Sequence, residues 1–100
     1  MYYMTFSQKV LKKARQIPKG KVTSYKAIAK KAGTSERAVG SILKSNKKLV
    51  IVPCHRVIKS NGEIGGYSQG IRKKIFLLKK EGVKIKGKKV ISELFPTGKI

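Results

Sequence analysis

Negative charge is what this sequence has least of, with four glutamates (Glu36, Glu63, Glu81 and Glu93) among 100 residues. One cysteine, Cys54, excludes an internal disulfide and any zinc site built on several thiolates. One histidine, His55, adds too little to complete a structural metal set, so neither a metal nor a cofactor is expected. Apolar runs are short, and none approaches the roughly 20 residues that span a bilayer. The start, Met1-Tyr2-Tyr3-Met4-Thr5, lacks the basic and apolar regions of a secretory signal. A soluble monomer of the cytoplasm is expected. A chain of 100 residues is expected to be a single domain with a modest core that needs no covalent staples.

What is abundant is positive charge. Lysine and arginine total 25, for a net charge of +21. Such a chain repels itself unless a polyanion neutralises it, which points to nucleic acid. Only Arg15, Arg37, Arg56 and Arg72 are guanidinium side chains; the other cations are lysines. Lysine suits phosphates as a point charge, whereas the flat arginine fork suits geometrically fixed contacts. Those four positions are therefore the candidates for specific tasks.

Helix signals dominate the first half. Thr5-Phe6-Ser7-Gln8 reads as a capping box, followed by an apolar face of Phe6, Val10, Leu11, Ala14 and Ile17, with Pro18-Lys19-Gly20 as the stop. Ser24 caps a second helix whose face is Tyr25, Ile28, Ala29 and Ala32, and Gly33 ends it. Ser35 caps a third, from Glu36 to about Lys44. Two short helices joined by Gly33-Thr34-Ser35 form a helix-turn-helix, which with this charge is a DNA-binding hypothesis. The run Leu49-Val50-Ile51-Val52 is expected to be buried and extended up to Pro53. Gly62, Gly65, Gly66 and Gly70 mark a loop with unusual backbone angles. A fourth helix follows on Ile71, Ile75, Leu77 and Leu78, closed by Gly82, and the tail permits a hairpin or short helix. The expected fold class is mainly α: a winged-helix-like helix-turn-helix with a short strand and loop segment at the active site.

Cys54 is the one strong nucleophile. Pro53 turns the chain before it, His55 can take a thiol proton, and Arg56 with the lysines favours thiolate. An extended course through this segment puts Cys54 and His55 on opposite sides, so the proton is expected to pass through a water. Glu81 is misplaced for a helix C-terminus, where the dipole disfavours an acid. It is either a surface partner of a lysine or the group that orients His55, as in a Cys-His-acid relay. Tyr25, Arg37 and Tyr67 stand out beside them.

Taken together, Ser24-Tyr25, Arg37-Ala38-Val39-Gly40, Asn46, Pro53-Cys54-His55-Arg56-Val57, Gly65-Gly66-Tyr67 and Leu77-Leu78-Lys79-Lys80-Glu81-Gly82 resemble the O6-alkylguanine-DNA alkyltransferase family over Phe6 to about Val83. The resemblance implies stoichiometric repair of duplex DNA containing O6-alkylguanine, and of O4-alkylthymine, by transfer of the alkyl group to Cys54. It implies that the target nucleotide is flipped out of the stack. In that reading Tyr25 pushes on the neighbouring phosphate, Arg37 fills the vacated space, and Ala38, Gly40 and Ser41 meet the minor groove. His55 backed by Glu81 draws off the thiol proton. Tyr67 donates to guanine N3, and the Ser68 N–H faces O6. Backbone carbonyls of Cys54 and Val57 hold the exocyclic amine, while Asn46 braces the turn into the site. The family's N-terminal domain is expected to be absent, Glu36 stands where small residues are usual, and Lys47-Lys48-Leu49 replaces prolines. A second reading remains: short alkyltransferase-like proteins bind alkylated DNA and flag it without transfer, though they typically carry Trp or Ala where this chain has Cys54.

Overall fold

Local capping and apolar stripes place the helices where the sequence puts them. A computed structural model describes residues 5–45, 53–67 and 69–95. Helix α1 (Phe6–Arg15) opens with a reciprocal capping box: the Thr5 hydroxyl accepts from the Gln8 N–H at 3.1 Å, and the Gln8 side chain accepts from the Thr5 N–H at 2.8 Å. Helix α2 (Tyr25–Ala32) starts at Ser24, whose hydroxyl accepts from the Ala27 N–H at 3.0 Å. It stops at Gly33, which takes the left-handed φ of 75° that side chains disfavour. Helix α3 (Glu36–Lys44) is capped by the Ser35 hydroxyl, which accepts from the Ala38 N–H at 3.1 Å.

These three helices enclose one core. Val10, Ala14, Ile17, Ile28, Ala29, Ala32, Val39 and Leu43 meet there, together with Cys54 and Val57. Phe6, expected on the inner face of α1, is instead 54% exposed. The α1 core contacts begin one turn later, at Val10, and the Phe6 ring is covered only by the Lys9 ammonium at 5.6 Å.

The other half packs on a second cluster of Val22, Ile58, Ile64, Leu78, Val83 and Val90. A two-residue parallel ladder joins the halves: β1 (Thr23–Ser24) pairs with β2 (Val57–Ile58), Thr23 opposite Val57 and Ser24 opposite Ile58. Alternation along β2 sends Val57 into the first core and Ile58 into the second. The ladder therefore ties the start of α2 to the residues just after Cys54.

Helix α4 (Ile71–Lys80) adds Leu78 to the second cluster. The tail forms a hairpin, β3 (Ile85–Lys86) with β4 (Lys89–Val90), turned at Gly87. It is pinned to the glycine loop, where the Val90 N–H donates to the Gly62 carbonyl at 2.8 Å and the Ile64 N–H to the Lys88 carbonyl at 3.0 Å. The fold is mainly α, as expected. Among the described residues no helix is long and apolar enough to cross a membrane.

Candidate active site

Pro53 and the two residues that follow Cys54 decide the local geometry. Cys54–Arg56 is one turn of 3-10 helix, closed by the Arg56 N–H on the Pro53 carbonyl at 3.0 Å and the Val57 N–H on the Cys54 carbonyl. The expected extended course is thus corrected. Three residues per turn separate neighbouring side chains by about a third of a circle, so Cys54 and His55 do not face opposite ways. Both are buried, at 4% and 7% exposure.

His55 and Arg56 converge on Glu81, at the C-terminal cap of α4. His55 Nε2 lies 3.0 Å from Glu81 Oε1. Arg56 grips both carboxylate oxygens, Nε to Oε1 at 3.0 Å and Nη2 to Oε2 at 2.6 Å, while its Nη1 donates to the Ile17 carbonyl at 2.8 Å. The misplaced acid is explained: its partner is a guanidinium rather than a surface lysine, and the bidentate pair outweighs the helix dipole. Arg56 is correspondingly corrected from a general electropositive neighbour of Cys54 to the anchor of Glu81.

The protonation states follow. Burial raises Glu81, but the hydrogen bonds from Arg56 and His55 and their charges more than reverse that and hold the carboxyl below its ordinary value. Burial lowers His55, opposed by its hydrogen bond and charge pairing with Glu81 and aided by Arg56 and Lys74, and the lowering wins. At neutral pH the pair is a carboxylate and a neutral imidazole. With Nε2–H donating to Glu81, the lone pair falls on Nδ1, which is buried and has no hydrogen-bond partner among the described residues. A neutral imidazole with an unengaged nitrogen beside a thiol is a general base.

In front of Cys54 lies a cavity of about 580 Å³. Its walls are Tyr25 from α2, Glu36, Arg37, Gly40, Leu43 and Lys44 from α3, and Lys59, Ser60, Asn61, Gly66 and Tyr67 from the glycine loop. Cys54, Tyr25, Arg37, Gly40 and Tyr67 are therefore brought together, while His55 and Glu81 stand behind Cys54. On α3, Ser41 is exposed and Ala38 half-buried, whereas Val57 is fully buried below the site. Asn46, Ser68 and the Leu49–Val52 run lie outside the described residues.

Tyr25 is half-buried rather than a core residue, and its hydroxyl donates to the Gly66 carbonyl at 3.4 Å. Tyr25 and Tyr67 are both raised, first by burial and then by the charge of Cys54, so both hydroxyls keep their protons at neutral pH and can donate. Sequence reasoning missed Lys74, which is fully buried behind Tyr25. Its signal was the stripe Ile71, Lys74, Ile75, Leu78 at helical spacing.

Gly65 holds the loop against Tyr25. Its φ is +75°, and an added Cβ would sit 3.3 Å from Tyr25 Cε2 and 3.5 Å from its hydroxyl. Gly65→Ala is expected to cost about 1–2 kcal/mol in thermal unfolding, from the left-handed backbone alone, and to push Tyr25 out of line. An unchanged melting temperature would contradict this.

Known proteins share this arrangement. The family model described as the DNA binding domain of 6-O-methylguanine DNA methyltransferase matches residues 5–83. A methylated-DNA--protein-cysteine methyltransferase of Saccharolobus islandicus is 56% identical over 80 residues, which are 80% of this chain and 52% of that protein. The crystal structure of an O6-methylguanine-DNA methyltransferase from Pyrococcus kodakaraensis superposes with a TM-score of 0.73 at 44% identity, covering 80% of this chain and 47% of the other. That of S. pombe ATL in complex with DNA superposes with a TM-score of 0.78 at 33% identity, covering 94% of each. The chain spans about half the length of the curated relatives it matches. With the family match running from the cap of α1 to the end of the second core, the chain belongs to the O6-methylguanine-DNA methyltransferase family, in the part that forms its DNA-binding domain.

Proposed function

We propose that this protein, acting as a monomer, repairs duplex DNA by a single, irreversible transfer of the alkyl group from O6-alkylguanine, and from O4-alkylthymine, to Cys54. The observation that carries the reading is Cys54 at the floor of a guanine-sized cavity, with the His55–Glu81–Arg56 array behind it. The target nucleotide flips into that cavity, since its alkyl carbon is out of reach inside the stack. Tyr25 displaces the adjoining phosphate and Arg37 occupies the vacated space, where its flat cation can face the orphaned base. Ala38, Gly40 and Ser41 let α3 approach the minor groove closely.

The thiol proton goes to His55 Nδ1, directly or through one water, while Glu81 balances the imidazolium. Sγ attacks the alkyl carbon, the S–C bond forms as the C–O6 bond breaks, and the electron pair passes to the guanine. Tyr67 donates to N3 and the Ser68 N–H to O6, where the negative charge develops. The Cys54 and Val57 carbonyls hold the exocyclic amine, and Asn46 braces the approach. The proton returns from His55 to the guanine, leaving both products neutral. The thioether has no group beside it able to cleave it, so each molecule reacts once.

Incubation with duplex DNA containing one O6-methylguanine is expected to add one methyl group to the peptide carrying Cys54, read by mass spectrometry. The second reading, damage flagging without transfer, draws on the end-to-end match to S. pombe ATL. Tight binding of the methylated duplex with no change in protein mass would establish it and overturn transfer.

A further inference from the structure

Lys74 stands outside the array just described, yet it is fully buried, at 0% exposure. Long cations are almost never placed so deep without a carboxylate, and among the described residues no carboxylate pairs with this one. Its Nζ instead donates to the Ile64 carbonyl at 2.6 Å, the Gly66 carbonyl at 3.1 Å and the Tyr25 hydroxyl at 3.2 Å. It also lies 5.4 Å from the Tyr25 ring centroid. Tyr25 and Gly66 are two walls of the cavity before Cys54, one on α2 and one on the glycine loop. The ammonium therefore joins them from behind.

Charge links Lys74 to the sulfur as well. Burial lowers Lys74 from its ordinary 10.5 to about 7, and the charge of Cys54 is what acts in the opposite direction. Such coupling is reciprocal: if a thiolate favours the ammonium, the ammonium favours the thiolate. Around Lys74 the titratable groups are Tyr25 on α2 and Cys54 and His55 on the 3-10 turn. Arg56, the other cation close by, is committed to Glu81.

We propose that Lys74 is a positioning residue for the reaction at Cys54: its ammonium clamps Tyr25 to the Ile64–Gly66 loop across the back of the cavity and serves as the buried counter-charge of the Cys54 thiolate. This rests on the transfer reading only for its consequence in repair. The clamp and the counter-charge are properties of the protein without DNA.

Lys74→Met keeps the length of the stem and removes the charge, and Lys73→Met, at the exposed neighbouring position, makes the same change in net charge. Alkylation of Cys54 by iodoacetamide at pH 7 is expected to be about tenfold slower in Lys74→Met, as for loss of one opposite charge near a thiolate, and unchanged in Lys73→Met. Single-turnover methyl transfer at saturating protein is expected to fall about 100-fold, because misplacement of a wall adds to the loss of thiolate. Affinity for undamaged duplex should match that of Lys73→Met. Equal iodoacetamide rates in the parent and Lys74→Met would overturn the proposal. Should Lys74→Met fail to fold, the parent decides. Its Lys74 13Cε signal is expected to titrate near pH 7 and at lower pH in Cys54→Ser; an unmoved midpoint refutes the counter-charge. A parent that takes no methyl from DNA but passes these DNA-free tests would refute the transfer reading alone.

Discussion

A Cys54→Ala protein is expected to bind O6-methylguanine duplex as tightly as the parent and to take up no methyl group at all. Transfer has no second route, since the sequence holds one thiol, and neutral hydroxyls or lysines do not displace an alkyl group from an ether oxygen at neutral pH. Binding is spared because the lysines that neutralise phosphates are untouched, and they set the salt-dependent part of the affinity. Cys54 is 4% exposed at the edge of the first core, so removing its sulfur costs about 1 kcal/mol of stability, as for loss of one buried heavy atom. Gel shift and intact-protein mass on the same sample check both halves. A methylated Cys54→Ala protein would refute the mechanism.

Removing Glu81 reaches further, because one carboxylate serves two partners. In Glu81→Ala the Arg56 guanidinium keeps only the Ile17 carbonyl, and His55 Nε2 loses its acceptor. The side chains of His55, Arg56 and Glu81 are 9%, 15% and 12% exposed, so little water replaces what is lost. A loss of about 3 kcal/mol is expected on denaturant unfolding, the low end for breaking a buried pair. Transfer should slow by about 100-fold, the contribution of a correctly held general base. Glu81→Gln separates the effects, since it retains hydrogen bonding to Arg56 but supplies no charge to the imidazolium.

The same array sets the acid limit of the fold. His55 is held below its ordinary 6.5, so the unfolded chain binds a proton that the fold resists, and stability declines as pH drops below about 6.5. Glu81 is held below its ordinary 4.5; its contribution is complete above that value and is lost as pH falls through its depressed one. Glu81→Ala is therefore expected to flatten the acid limb of a stability–pH curve below about 4.5. An identical limb in both proteins would place the acid sensitivity elsewhere.

Much of this was legible in the chain because it is local. Thr5, Ser24 and Ser35 cap α1, α2 and α3 as their spacing announces, and Gly33 stops α2, since each signal acts over three or four residues. The string around Cys54, with Tyr25, Arg37 and Tyr67, identified the cavity residues before any coordinates did. What failed were inferences about direction. Treating Pro53–Arg56 as extended ignored the 3-10 turn that Pro53 permits, and counting Phe6 as core ignored that a helix can begin before its packing does.

By itself, then, the sequence determined the helices, the excess of positive charge, the nucleophile and its family. These depend on residue type and short spacing. Only the tertiary structure decided that Glu81 is held by Arg56, 25 residues away, and that Lys74 closes behind Tyr25 over a separation of 49. It likewise decided that β1 and β2 lock α2 beside Cys54. Contacts of that range arise from the packing of two small cores against each other, and no local pattern encodes which cation an acid will meet when they close.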